Sequence, residues 1–136
     1  MARKVNGFFY GLFMDPEVLR EKRINGIDAR PALVTGYALK IGERATMVAQ
    51  SDSTVYGMVI ALGHPDLEIL YGSQGLDLYK PEAVLAQLLD GPAVPALCYN
   101  LIEPPNEGES NSRYAASLRE VLTKFGFPEQ YVASIN

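Results

Sequence analysis

Residues 79–102 read YKPEAVLAQLLDGPAVPALCYNLI, and how this stretch is divided decides the fold. Pro81-Glu82 followed by Ala-Val-Leu-Ala-Gln-Leu-Leu has helix-forming composition. Asp90-Gly91, however, is a hairpin turn signal set between two apolar runs. Ala93 to Ile102 has the β-branched, aromatic and alternating character of a strand. Propensity leaves a helix open over 79–89; the turn signal favours strand–turn–strand, the reading adopted.

Outward from there the chain keeps the same character. Val55 to Leu62, Val-Tyr-Gly-Met-Val-Ile-Ala-Leu, is apolar nearly throughout, as expected of a strand buried on both faces. Ala32 to Ile41 is strand-like with Gly36 as a bend or bulge, and Ala45 to Ala49 can pair back on it across Gly42-Glu43. Val5 to Tyr10 is a strand by its aromatic run, followed by a turn at Gly11-Leu12-Phe13-Met14. Asp15-Pro16-Glu17 is a helix start: a capping carboxylate, a proline at the first position and an acid in the first turn. A short helix is expected over His64 to Tyr71. A longer one carries Tyr114, Leu118, Val121, Leu122 and Phe125 at helical spacing, with Ser112 as its cap and Gly126 past its end. Pro128-Glu129 opens a last short helix through Tyr131 toward Ile135. About six strands and three or four helices, joined mostly by short turns, predict an α+β fold with a largely antiparallel sheet.

Composition bounds the function. The chain has 136 residues, which predicts a single domain over 1–136. Its net charge is −4 and its pI about 5.0, with the basic residues scattered, so nucleic acid is not an expected partner. One cysteine, Cys98, excludes an internal disulfide, and one histidine, His64, leaves no zinc cluster. His64 reads as a helix-cap or surface residue, Cys98 as a core thiol. No apolar run approaches a membrane span and the start does not read as a signal peptide, so a cytoplasmic, reduced setting is expected. No metal, nucleotide or other cofactor is expected, and the oligomeric state is open.

The strand–turn–helix around Gly11 is the most informative local pattern. Exposed backbone N–H groups in such a turn suit an anion or a carbonyl oxygen, while the apolar Leu12, Phe13 and Met14 suit a structural turn, which the pattern alone favours. Eight tyrosines are many for one small domain, and several lining one pocket would hold a small polar ligand.

Four segments in order resemble the gamma-glutamylcyclotransferase-like family, including its avirulence-induced branch. Phe9-Tyr10-Gly11-Leu12-Phe13-Met14 is similar to the opening loop, and Val55 to Ile60 to the central strand. Leu70-Tyr71-Gly72-Ser73-Gln74-Gly75, then Tyr79, is similar to the segment with the catalytic Glu. Tyr99, Ser112-Arg113-Tyr114 and Gly126-Phe127-Pro128-Glu129-Gln130-Tyr131 are similar to the tail. The resemblance implies a small mixed β-barrel flanked by helices. It implies a backbone cradle from Tyr10, Gly11, Leu12, Phe13 and Met14, with Tyr79, Tyr99 and Tyr114 as walls. It implies a γ-glutamyl or related amino-acid ligand and cofactor-free release of 5-oxoproline by the substrate's own amine. The family's loop hydroxyl is replaced by Leu12 and its catalytic Glu by Gln74. An amide cannot act as general base, so the resemblance implies a pocket with altered catalysis. Two alternatives remain: an active enzyme that uses another carboxylate, with Glu68 and Glu82 as nearby candidates in sequence, and a non-catalytic interaction module.

Overall fold

The structure is a computed structural model that describes residues 4–72 and 78–136. Five strands close into one barrel: β1 (Lys4–Phe9), β2 (Ile27–Ile41), β3 (Ala45–Gly63), β4 (Tyr79–Leu88) and β5 (Ala93–Leu101), in the order β1-β3-β2-β4-β5. The pairings are antiparallel except where β5 meets β1 in parallel at Gly7 and Leu97, which completes the closure. Four helices lie among the described residues: α1 (Pro16–Glu21), α2 (His64–Gly72), α3 (Ser112–Lys124) and α4 (Glu129–Ala133). None of the described helices is long and apolar enough to cross a membrane.

Residues 79–102 form β4, a turn at Asp90-Gly91 and β5, with Tyr79 opposite Leu101 and Gln87 opposite Ala93. Here tertiary pairing overrides helix propensity, because alternate residues Val84, Ala86 and Leu88 face the core while Leu85 stays exposed. The expected six strands are five. The segments read as Ala45–Ala49 and Val55–Leu62 belong to one strand, β3, which pairs with β2 up to Ala49 and again from Thr54, with a bulge of exposed polar residues and a left-handed Asp52 between. β2 begins at Ile27, earlier than the expected Ala32, because a register shift between Ile27 and Arg30 absorbs the left-handed Asp28. Gly36 is a bend as expected, at φ +85°.

The two faces of each strand fill two cores. Phe8 and Tyr10 of the first strand run join Val34, Val55, Val59, Val84, Ala96 and Cys98 inside the barrel. Phe9 points outward with Met58, Ile60 and Leu62 against Leu19, Leu67, Leu70, Leu118 and Leu122 of the helices. Asp15 caps α1 by accepting from the Glu17 N–H at 3.0 Å, as the sequence predicts, and its other oxygen meets Lys124 Nζ at 3.2 Å. That contact raises the Lys124 pKa and ties the end of α3 to the start of α1. Asn111, not Ser112, caps α3: its side chain accepts from the Tyr114 N–H at 3.1 Å, and Ser112 is the first helical residue.

Candidate functional site

β1 ends at Phe9, and a single 3₁₀ turn over Leu12–Met14 leads into α1. The Met14 N–H closes this turn on the Gly11 carbonyl at 3.0 Å. The side chain of Met14 goes down into the core, fully buried. The residues before it, Phe9 to Phe13, instead form one wall of a cavity of about 400 Å³. The other walls come from distant parts of the chain: Glu43, Arg44 and Ala45 from the turn and start of β3, Tyr71 from α2, Tyr79 from β4 and Tyr114 from α3.

Glycine at position 11 is a steric requirement. A β-carbon there would overlap the Tyr114 hydroxyl, which lies over the turn and meets the Leu12 backbone N–H. The hydroxyl of Tyr10 turns away and donates to the Tyr99 carbonyl at 2.7 Å. Tyr79 donates to the Ala45 carbonyl at 3.3 Å, and the Arg44 guanidinium hydrogen-bonds its hydroxyl. The rings brace each other: Tyr71 stacks on Tyr99 at 4.2 Å, meets Tyr79 at 5.5 Å and takes Phe13 edge-on at 5.9 Å. Burial pushes Tyr114 up to about 12 and raises Tyr10 and Tyr71 well above the usual phenol range. These phenols are therefore neutral at physiological pH. Tyr71 and Tyr114 can donate or accept at the cavity surface without carrying charge.

The overall fold is shared with solved structures. One named gamma-glutamyl cyclotransferase superposes with a TM-score of 0.80 at 18% identity, covering 98% of this chain and 89% of that one. The chain has the gamma-glutamyl cyclotransferase-like fold. An uncharacterized protein from Homo sapiens matches with a TM-score of 0.77 at 18% identity, over 98% of this chain and 88% of the other. A yeast gamma-glutamyl cyclotransferase specific to glutathione matches at 0.66 and 12% identity, over 97% and 93%. No protein-family model and no curated protein sequence matches the chain.

Within this fold, Tyr10, Gly11, Leu12, Phe13, Tyr79 and Tyr114 meet at one cavity although more than a hundred residues separate the first from the last. Tyr99 stands behind Tyr71 as its stacking partner, and Met14 lies beneath the turn. Gln74 lies outside the described residues. Glu68 and Glu82, the carboxylates offered as replacements, do not line the cavity. Glu68 is exposed on α2, while Glu82 points toward the barrel interior and accepts from Asn100 Nδ2 at 3.3 Å. Among the described residues the cavity's carboxylate is Glu43, which the sequence reading placed only in the turn across Gly42-Glu43, together with its neighbour Arg44. The sequence signal was a pair of opposite charges directly after Gly42, but nothing local says that this turn is folded against a cavity.

His64 is exposed at the start of α2. Cys98 is buried in the barrel, and burial raises its thiol to about 12, which makes it a poor nucleophile. Among the described residues no three His, Cys, Asp or Glu side chains group as a metal site.

Proposed function

We propose that the cavity holds the γ-glutamyl end, or a related amino-acid end, of a small molecule, and that its conversion to 5-oxoproline is slow in this chain. The observation that carries the reading is the wall from Phe9 to Phe13. It places a glycine-opened turn at a cavity of suitable size in a fold shared with a gamma-glutamyl cyclotransferase. In this reading the turn's backbone and the Tyr114 hydroxyl orient the ligand's carbonyl and the aromatic rings enclose its methylenes. Gln74 occupies the position that resembles the family's catalytic Glu. The α-amine must lose a proton before it attacks, and a carboxamide does not take it. Positioning persists, so a trace of turnover remains. The reading includes a cytoplasmic setting and requires no metal, cofactor, nucleic acid or membrane.

The test is 5-oxoproline release from a panel of γ-glutamyl amines and dipeptides by the wild type and Gln74→Glu, with binding measured in parallel by calorimetry. The expected result is binding by both, little turnover by the wild type, and a rise of about 10² or more in the variant, the usual range for a positioned base. Absence of binding across the panel overturns the reading. Glu43 in the cavity favours a second reading, an active cyclotransferase with a relocated carboxylate. Robust wild-type turnover that survives Gln74→Ala and disappears in Glu43→Gln would establish that one instead.

A further inference from the structure

We propose that Glu43 and Arg44, adjacent on the turn between β2 and β3, form the charge-reading end of the cavity. Glu43 recognises the ligand's α-ammonium and Arg44 its α-carboxylate. The proposal rests on the γ-glutamyl reading of the cavity and assigns the residues that select it.

Among the described residues that line the cavity, these two are the only ones with formal charge, and their signs are opposite. The remaining walls are aromatic, aliphatic or backbone. The α-ammonium and α-carboxylate of an amino acid sit on one carbon, so a site that reads both needs opposite charges side by side. Adjacent residues in an extended strand point to opposite faces, but a tight turn can present both to one side. This turn is tight: the Gly42 N–H bonds to the Arg44 carbonyl at 3.1 Å.

The turn is also held in place from both sides. Gly42 is buried against the loop after β5, where an added β-carbon would come within 2.7 Å of Pro105 Cβ. On the cavity side the next residue, Ala45, accepts from the Tyr79 hydroxyl at 3.3 Å. Arg44 itself hydrogen-bonds Tyr79, which fixes its side chain along the wall. A guanidinium carries five N–H donors in a planar fork, so holding a phenol is compatible with gripping a carboxylate. Glu43 is the more exposed of the two, so it has the smaller share of the affinity. An ordinary solvated hairpin turn has no reason to be clamped by Pro105 on one side and Tyr79 on the other.

The test crosses protein variants with ligand truncations in calorimetric titrations. The probes are γ-L-glutamyl-L-alanine, its N-acetyl derivative, which has no ammonium, and its α-carboxamide, which has no α-carboxylate. The proteins are the wild type, Glu43→Gln, Arg44→Gln, Arg44→Lys and a distant control, Glu120→Gln. We expect Glu43→Gln to weaken the parent ligand about threefold and to leave the N-acetyl derivative unaffected. Arg44→Gln should weaken the parent about tenfold and leave the α-carboxamide unaffected, with Arg44→Lys in between because it keeps the charge and loses the fork. Thermal unfolding checks that each variant is folded, and Arg44→Lys stands in if Arg44→Gln is not. Equal losses for parent and truncated ligands, or no loss in any Glu43 or Arg44 variant, overturn the proposal while the wild type's binding keeps the cavity reading. A wild type that binds none of the probes overturns both.

Discussion

The hydroxyl of Tyr114, on α3, occupies the space that a β-carbon at Gly11 would take and meets the backbone N–H of Leu12. This contact joins the turn after β1 to a helix a hundred residues later, and both residues line the cavity. The φ of Gly11 is −112°, which any residue adopts, so the requirement for glycine is a matter of space. Gly11→Ala should therefore destabilise the fold by about 1–3 kcal/mol, the usual cost of forcing extra volume into a packed site. Tyr114→Phe in the same chain should recover most of that loss. Urea unfolding of the two single variants and the double variant gives the coupling directly. Additive losses would show that the two residues do not compete for one space.

Asn100 ties three strands together inside the barrel. Buried at 1% exposure, it accepts from the Met47 N–H at 3.2 Å and donates to Glu82 Oε1 at 3.3 Å, linking three strands. Next to it, the Thr46 hydroxyl accepts from the Leu101 N–H at 2.9 Å. Asn100→Leu would leave a buried N–H without its partner and expose the Glu82 carboxylate to an apolar neighbour, costing about 2–3 kcal/mol. Asn100→Asp should be tolerated less well still, since it would set a second carboxylate beside Glu82. Denaturant midpoints at constant slope would measure both; an unchanged midpoint for Asn100→Leu would refute the role.

Two glycines should fail for different reasons. A β-carbon on Gly57 would collide with the Phe9 carbonyl oxygen and approach the Phe8 ring to 3.0 Å, so β1 and β3 would have to separate. Gly36 has nothing within 4 Å of such a carbon but sits at φ +85°. Gly57→Ala should cost 2 kcal/mol or more by overpacking, and Gly36→Ala about 1 kcal/mol by backbone strain. Replacing Gly36 with Asn, which tolerates the left-handed region, should cost less than alanine, whereas Gly57→Asn should be worse than Gly57→Ala. The opposite ordering in thermal unfolding would refute these assignments.

The buried tyrosines predict an alkaline limit. Burial raises Tyr114 and Tyr131 from 10.0 to about 12, and it raises Tyr10 and Tyr71 in the same direction. The unfolded chain loses these protons first, so it binds fewer protons than the native state between pH 10 and 12. Stability from this source is therefore complete below pH 10 and falls as pH rises toward 12. Tyrosinate absorbance should show the less buried phenols ionising first and the buried ones appearing together with loss of structure. Smooth ionisation of all eight tyrosines near pH 10 in a folded protein would contradict it.

Much of the fold was legible because its signals are local. Asp90-Gly91 marks the hairpin that makes β4 and β5, Asp15-Pro16 starts α1, and Gly126, at φ +76°, ends α3. What was not legible depends on distant partners. The polar stretch from Gln50 to Thr54 reads as a break, yet it is a bulge within β3, because β2 pairs with the chain on both sides of it, Tyr37 with Ala49 and Thr35 with Thr54. The closure of the barrel rests on Gly7 meeting Leu97, a long-range pairing that no spacing announces. The candidate site divides in the same way. The turn around Gly11 was visible as a strand–turn–helix, and the tyrosines as an unusual number of phenols. Glu43 and Arg44 were not, because what brings them to the cavity is the packing of Gly42 against Pro105 and the reach of Tyr79 from β4.

The central claim is that the turn from Tyr10 to Phe13 and the Tyr114 hydroxyl hold the γ-glutamyl end of a small molecule. A backbone amide NMR titration with γ-L-glutamyl-L-alanine tests it most directly, with Gly11→Ala, whose β-carbon takes the space of the Tyr114 hydroxyl at the turn, as the comparison. The account predicts saturable shifts at Gly11, Leu12, Phe13, Arg44 and Tyr114, small shifts on the outer face of β4 and β5, and no saturable shifts in Gly11→Ala. No saturable shift at the turn, or the same shifts in Gly11→Ala, would contradict it.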